Sequence, residues 1–240
     1  MEKRVAWNKG RIIGQKAPLK QQEIWAIRTR LEIAKNTREL ALLNLAIDSK
    51  LRGCDLVSLK VSDVMRSGEV MARTSIVQHK TGTPVQFEIT PQTRKTVKAW
   101  VDLKKLKFDD FLFPSRKHSI PHMTTRAYDR IVHKWVESIG LDSSLYGTHS
   151  MRRTKVSILY KRDKNIRAIQ LLLGHKKIES TVRYLGIDVQ DALEASENLT
   201  NRKKGNFEFY PSDTGRWPPQ DWHSINGVVC KACWITGVQS

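Results

Sequence analysis

The sequence predicts a mainly helical protein carrying a small antiparallel β-sheet, an α+β fold. Several stretches place apolar residues at helical spacing, while two neighbouring runs between Glu69 and Thr90 are rich in strand-forming residues. The segment HKTGTP divides those runs, with Gly82 and Pro84 as turn residues.

Residues 1 to 16 hold Lys3, Arg4, Lys9, Arg11 and Lys16 with two glycines and little apolar periodicity. They read as a flexible basic arm, able to add phosphate contacts without specifying sequence. From Leu19 onward, Ile24, Ile27, Leu31 and Ala34 recur at helical spacing and predict an amphipathic helix over Lys20 to Lys35. Glu39 to Asp48 is apolar on most faces, so its helix should be buried. In LRGCDLVSLKVSDV, Asp55, Leu56 and Leu59 start another short helix just after Arg52 and Gly53. Glu69 to Gln78 and Val85 to Thr90 are expected to pair as antiparallel strands, which puts Lys80 at the turn end of the first.

Pro91 opens a helix whose apolar side holds Val97, Trp100, Val101 and Leu103. After a connection containing two prolines, Thr124 to Ile139 returns to helical spacing, with Gly140 as its stop. Val189 to Leu199 is expected to form a further short helix. Beyond Arg202 the tail mixes Trp217, Pro218, Pro219, Trp222 and Trp234 without helical or strand periodicity. A partner-binding appendage, a read-through or fusion scar and a poorly packed terminus are all open readings of it.

The charge is the strongest compositional observation: 42 Lys and Arg against 24 Asp and Glu give a formal +18. A polyanionic partner would relieve that self-repulsion, and nucleic acid is the leading candidate. No run of about 18 apolar residues exists to span a membrane, and the basic N-terminus lacks the apolar core of a secretion signal. Three cysteines, an odd and sparse count, point to a reducing compartment. Cys230 and Cys233 form half of a zinc pattern, but no second pair follows and His223 is the only histidine nearby, so no metal is expected.

The stretch Tyr146 to Asp188 concentrates chemistry-bearing residues. His149 and Arg152 lie three apart, one turn of helix, so both side chains can face one phosphate. His175 follows Leu-Gly, and Tyr184 comes nine residues after it. Cleaving a phosphodiester with a protein nucleophile requires cations on the non-bridging oxygens, a hydroxyl in line and an acid for the leaving oxygen. Arginine suits the first task because its planar fork matches phosphate. Arg52 at a helix start and Lys80 at a hairpin tip are candidates to complete the set. Singly, each residue also has an ordinary reading as a packed aromatic, a helix cap or a solvated charge.

Their order and spacing resemble the tyrosine recombinase, or phage integrase, family. LRGCDLVSL is similar to the family's first-arginine box, with Arg52 and the acidic Asp55; QHKTGTPVQFEIT resembles its β-hairpin, with the lysine at Lys80; THSMRRT matches its HxxR box at His149 and Arg152; and LLLGHKKIESTVRYL resembles its LGH…Y box at His175 and Tyr184.

The resemblance implies a recombinase catalytic domain over residues 17–198, preceded by the arm at 1–16 and followed by the tail at 199–240. It implies that Arg52, Arg152 and His175 hold the scissile phosphate, that Lys80 is general acid toward the 5′ oxygen, and that His149 assists proton transfer or phosphate binding. Tyr184 would form a 3′-phosphotyrosine, and Asp55 would orient Arg52. No cofactor is implied. The expected activity is site-specific DNA recombination on a mobile element, by integration, excision or inversion, in the bacterial cytoplasm and at the nucleoid when bound to DNA. The expected partners are double-stranded DNA, three further copies of the chain in a tetrameric synapse exchanging the segment after Tyr184, and a candidate accessory DNA-bending protein.

Typical relatives carry a helical core-binding domain of roughly a hundred residues ahead of the catalytic domain. With only residues 1 to 16 before Ala17, the chain resembles the small, catalytic-domain-only members such as fimbrial-type invertases. A type IB topoisomerase-like nicking and closing activity is one alternative; a DNA-binding regulator with idle catalytic residues is another.

Overall fold

A computed structural model describes residues 16–116 and 119–185, together with the short strands 223–225 and 228–230. The chain divides into two units, residues 1–186 and 187–240. The first unit opens with α1 (Gln21–Ile33) and α2 (Thr37–Ser49), followed by the short helices α3 (Gly53–Val57) and α4 (Val61–Val64). Two strand pairs come next, β1 (Met65–Arg66) with β2 (Glu69–Val70) and β3 (Arg73–Val77) with β4 (Pro84–Glu88). Five helices complete it: α5 (Pro91–Lys104), α6 (Thr125–Ser138), α7 (Thr148–Asp163), α8 (Ile166–Leu173) and α9 (Ile178–Leu185).

The nearly continuous apolar run of α2 makes it the central helix. Leu42, Leu43, Leu45 and Ala41 are completely buried, and α2 packs against α1, α5 and α7. Asn36 caps its start by accepting from the Glu39 amide, and Lys50 ends it in a left-handed conformation at φ 56°. The apolar stripes of α1 (Ile24, Ile27, Leu31), α5 (Val97, Trp100, Val101) and α6 (Tyr128, Val132, Trp135, Val136) join the same core. Leu103, expected on the apolar side of α5, is 66% exposed because it lies at the margin of that stripe.

The expected single strand from Glu69 to Gln78 is divided. Glu69–Val70 turns back on Met65–Arg66 through Ser67 and Gly68, both at positive φ, the geometry a two-residue hairpin requires. Only Arg73–Val77 pairs with Pro84–Glu88, in the register Arg73 to Glu88 and Val77 to Pro84.

A polar cluster ties α2, α5, α7 and the β3–β4 hairpin together. Asp48, at the end of α2, accepts from the Thr90 amide and from the hydroxyls of Thr90 and Thr93 at 2.6–2.9 Å. The Lys155 ammonium of α7 lies 2.9 Å from Asp48 and 2.6 Å from Glu88 of β4. Burial opposes ionisation of Asp48, yet hydrogen bonds from Thr93 and Lys155 outweigh it and hold its pKa below the usual range. One lysine thus fastens α7 to both α2 and the hairpin.

Lys16, grouped by sequence with the arm, is already fixed: its carbonyl accepts from Arg153 and its ammonium donates to the Ser144 carbonyl. The rest of the arm and the expected helix Val189 to Leu199 lie outside the described residues. In the second unit, His223–Ile225 pairs antiparallel with Val228–Cys230, so the tail expected to lack strands contains one short pair.

Candidate active site

The helices α3, α7, α8 and α9 and the β3–β4 hairpin loop converge on one cationic cluster. Arg52 occupies the N-cap position of α3 with extended backbone, and its half-buried side chain leaves the helix. Gly53 beside it lies against Tyr128 and Thr148, so the start of α3 packs close to the start of α7. His149 stands in the first turn of α7 and Arg152 one turn later. Arg152 is buried, with its Nη2 donating to the Leu173 carbonyl at the end of α8 over 3.1 Å. That carbonyl terminus favours a cation and fixes the guanidinium in place.

Gly174 then makes a sharp corner at φ +66°, where an added Cβ would stand 2.6 Å from the Val85 side chain. Only glycine meets both demands, and the corner sets Gly174 against Val85 of β4. His175 pairs through Nδ1 with the Thr181 hydroxyl at 3.1 Å, leaving Nε2 as the nitrogen able to meet a phosphate oxygen. Its ring meets Tyr184 edge-on, with centroids 5.5 Å apart.

Tyr184 sits on α9 with its hydroxyl buried and unpartnered. The Arg152 guanidinium carbon is 5.6 Å from its ring centroid and that of Arg153 is 5.5 Å away, both within cation–π range. Burial pushes the phenol pKa up to about 12, against the pull of Arg152, Arg153 and Arg52. At neutral pH the phenol is therefore protonated. The two histidines shift the other way. Partial burial lowers the His149 pKa, aided by Arg152, Arg153, Arg52 and Lys80, and the His175 pKa falls through burial, then Arg152 and Arg52. All six sequence-predicted residues thus gather at one place: Tyr184 in contact with Arg152 and His175, with Arg52, Lys80 and His149 within electrostatic reach.

Asp55 departs from its expected part. Its Oδ1 accepts from the His79 amide at 3.0 Å, so it holds the hairpin loop, while Arg52 donates from Nη1 to the Gln78 side-chain carbonyl. Sequence reasoning missed Gln78 and also Arg153, which touches Tyr184 and the Lys16 carbonyl at once. The doubled arginine in THSMRRT was the available signal for the second. Among the described residues, no group of three or more His, Cys, Asp or Glu is placed to hold a metal ion, and no helix is long and apolar enough to cross a membrane.

The chain is similar to known proteins in sequence and in fold. The phage integrase family model matches residues 18–191. A probable integrase/recombinase, YoeC of Bacillus subtilis (strain 168), is 31% identical over 162 residues, covering 68% of this chain and 84% of that protein. Tyrosine recombinase XerC of Erythrobacter litoralis is 28% identical over 151 residues, and the chain spans 47% of its length. Among solved structures, the XerA recombinase aligns with a TM-score of 0.63 at 18% identity over 81% of this chain and 67% of that one. The catalytic domain of bacteriophage HP1 integrase aligns at 0.51 and 19% identity over 80% of this chain and 99% of that one. These likenesses establish a tyrosine recombinase catalytic-domain fold. With the family match running from α1 to beyond α9, well over half of its length, the chain belongs to the phage integrase family.

Proposed function

We propose that this protein cuts and rejoins DNA at specific sites through a covalent protein–DNA intermediate. The observation that carries the reading is Tyr184, whose hydroxyl is buried and unpartnered and whose ring is flanked by Arg152, Arg153 and His175. A phenol without a hydrogen-bond partner, its ring against two guanidiniums, suits a site that receives an anion.

In the proposed reaction Arg52 and Arg152 hold the non-bridging oxygens of the scissile phosphate, and His175 adds a hydrogen bond. The phenolic oxygen of Tyr184 attacks phosphorus, forming a 3′-phosphotyrosine as the bond to the 5′ oxygen breaks. His149, neutral at pH 7 by its lowered pKa, takes or relays the phenol proton. Lys80 supplies a proton to the departing 5′ oxygen. Attack by that 5′ hydroxyl, or by one from a second duplex, reverses the step and needs no other energy source.

Double-stranded DNA is the proposed partner. The +18 charge supports it, as do solved relatives whose structures hold DNA, among them XerH bound to its difH substrate and the Tn1549 transposon integrase with transposon right-end DNA. A tetramer on two sites, with an accessory DNA-bending protein, completes the proposal.

The test is a plasmid carrying two copies of a candidate site cloned from the DNA flanking the gene. Recombinant products that require both sites support the reading. Relaxation of supercoils in a plasmid lacking the sites would favour a nicking and closing enzyme instead.

A further inference from the structure

Gln78 is only 1% exposed and stands where β3 passes into the loop that carries Lys80. Its backbone closes that loop: its amide donates to the Thr83 carbonyl at 3.1 Å, and its carbonyl accepts from the Gly82 amide at 2.9 Å. Its side-chain Oε1 accepts from two directions at once, from Arg52 Nη1 and from the Thr81 hydroxyl at 2.9 Å. Thr81 follows Lys80 directly. A single buried oxygen therefore joins the arginine of one element to the lysine-bearing loop of another.

The chemistry of that oxygen matters as much as its place. An amide carbonyl is a neutral acceptor: it orients one edge of a guanidinium without cancelling its charge, and the remaining N–H groups stay available to an anion. A carboxylate in the same position would compete with phosphate for the guanidinium fork. The nearby carboxylate, Asp55, is engaged instead by the amide of His79, the residue that follows Gln78 in the same loop. Both tethers act on the loop, and only the uncharged one touches Arg52.

Resting on the reaction proposed above, we infer that Gln78 is a positioning residue that couples phosphate capture by Arg52 to proton delivery by Lys80. When Arg52 engages a phosphate, its contact with Gln78 sets the position of the Thr81 end of the loop and with it the Lys80 ammonium. Removing the side chain leaves Arg52 charged and the loop closed by its backbone, but unlinks Arg52 from Thr81. Converting it to a carboxylate keeps the tether but neutralises the arginine.

The two consequences separate on paired DNA substrates. Nicked suicide duplexes tiled across the DNA flanking the gene are prepared with either oxygen or sulfur at the 5′ bridging position of the scissile phosphate. A thiolate leaves without a proton, whereas an alkoxide needs the acid. Gln78→Ala is expected to slow covalent adduct formation about 10²-fold on the oxygen substrate, within the range of general-acid effects, and to recover most of that loss on the sulfur substrate, as Lys80→Ala does. Gln78→Glu is expected to be slow on both, because its defect lies in holding the phosphate.

A general loss of folding would reduce both substrates equally, so the sulfur-to-oxygen ratio isolates the coupling. An unchanged ratio in Gln78→Ala, or a Gln78→Glu protein rescued by sulfur to the same extent, overturns the inference. Absence of an adduct with the wild-type protein on both substrates would instead overturn the underlying reaction.

Discussion

The Arg152 guanidinium lies 5.6 Å from the centre of the Tyr184 ring, and its Nη2 is held by the Leu173 carbonyl in the same position. The phosphate-binding candidate and the nucleophile candidate are thus packed together, and the next residue, Arg153, reaches the same ring at 5.5 Å. A cationic wall behind a buried phenol favours the phenoxide as it develops during attack.

Arg153→Gln removes part of that wall while leaving Arg152 in place. Single-turnover adduct formation should slow about tenfold, the size of a desolvated cation–π contact. Because the phenol pKa is about 12 in the wild type and rises further in the variant, both titrate above neutrality. The deficit should therefore stay constant from pH 7 to pH 9, as rates measured across that range will show.

Both histidines hold their protons more weakly than usual, so each is neutral at pH 7. A bound phosphate is an added negative charge beside them and should raise both values. Ring-proton titrations of the free protein should give midpoints below 6.5, moving upward when an oligonucleotide duplex is added.

Lys50 is buried at the end of α2, where it donates to the Asp48 carbonyl at 2.8 Å. Burial and then Lys155 lower its pKa to about 8 from 10.5, against the opposing pull of Glu88 and Asp48. The unfolded chain therefore binds more protons between those values, and this residue's cost to stability is full below pH 8 and fades as pH rises toward 10.5. Lys50→Met should raise the unfolding free energy by at most about 3 kcal/mol at pH 7. That gain should vanish toward pH 10.5, as urea melts of both proteins at several pH values will check.

The parts of the site that could be read from sequence are those carried by short spacings. His149 with Arg152, and Gly174–His175 with Tyr184, each lie within one or two adjacent helices, so their separations survive folding. The partners set by packing between distant segments could not be read this way. Arg52 meets Gln78 across 26 positions and Lys155 meets Asp48 across 107, and neither pairing leaves a local pattern.

Asp55 shows where the resemblance and the contacts part. It was expected to orient Arg52, but its Oδ1 accepts from the His79 amide, while Arg52 donates to the neighbouring Gln78. Helix positions on α1, α2, α5 and α6 were legible to within a few residues because their apolar stripes are long. The division of the Glu69 to Gln78 run depended on a two-residue turn at Ser67–Gly68, upstream of the run itself.

In the proposed reaction the Tyr184 oxygen becomes bonded to DNA. The protein is incubated with nicked suicide duplexes, denatured and digested, and the DNA-linked peptide is identified by mass spectrometry. One adduct is expected, through a 3′ phosphate on Tyr184, and it disappears in Tyr184→Phe. An adduct that persists in Tyr184→Phe, or one mapped to Tyr146 or Tyr160, would contradict that reaction.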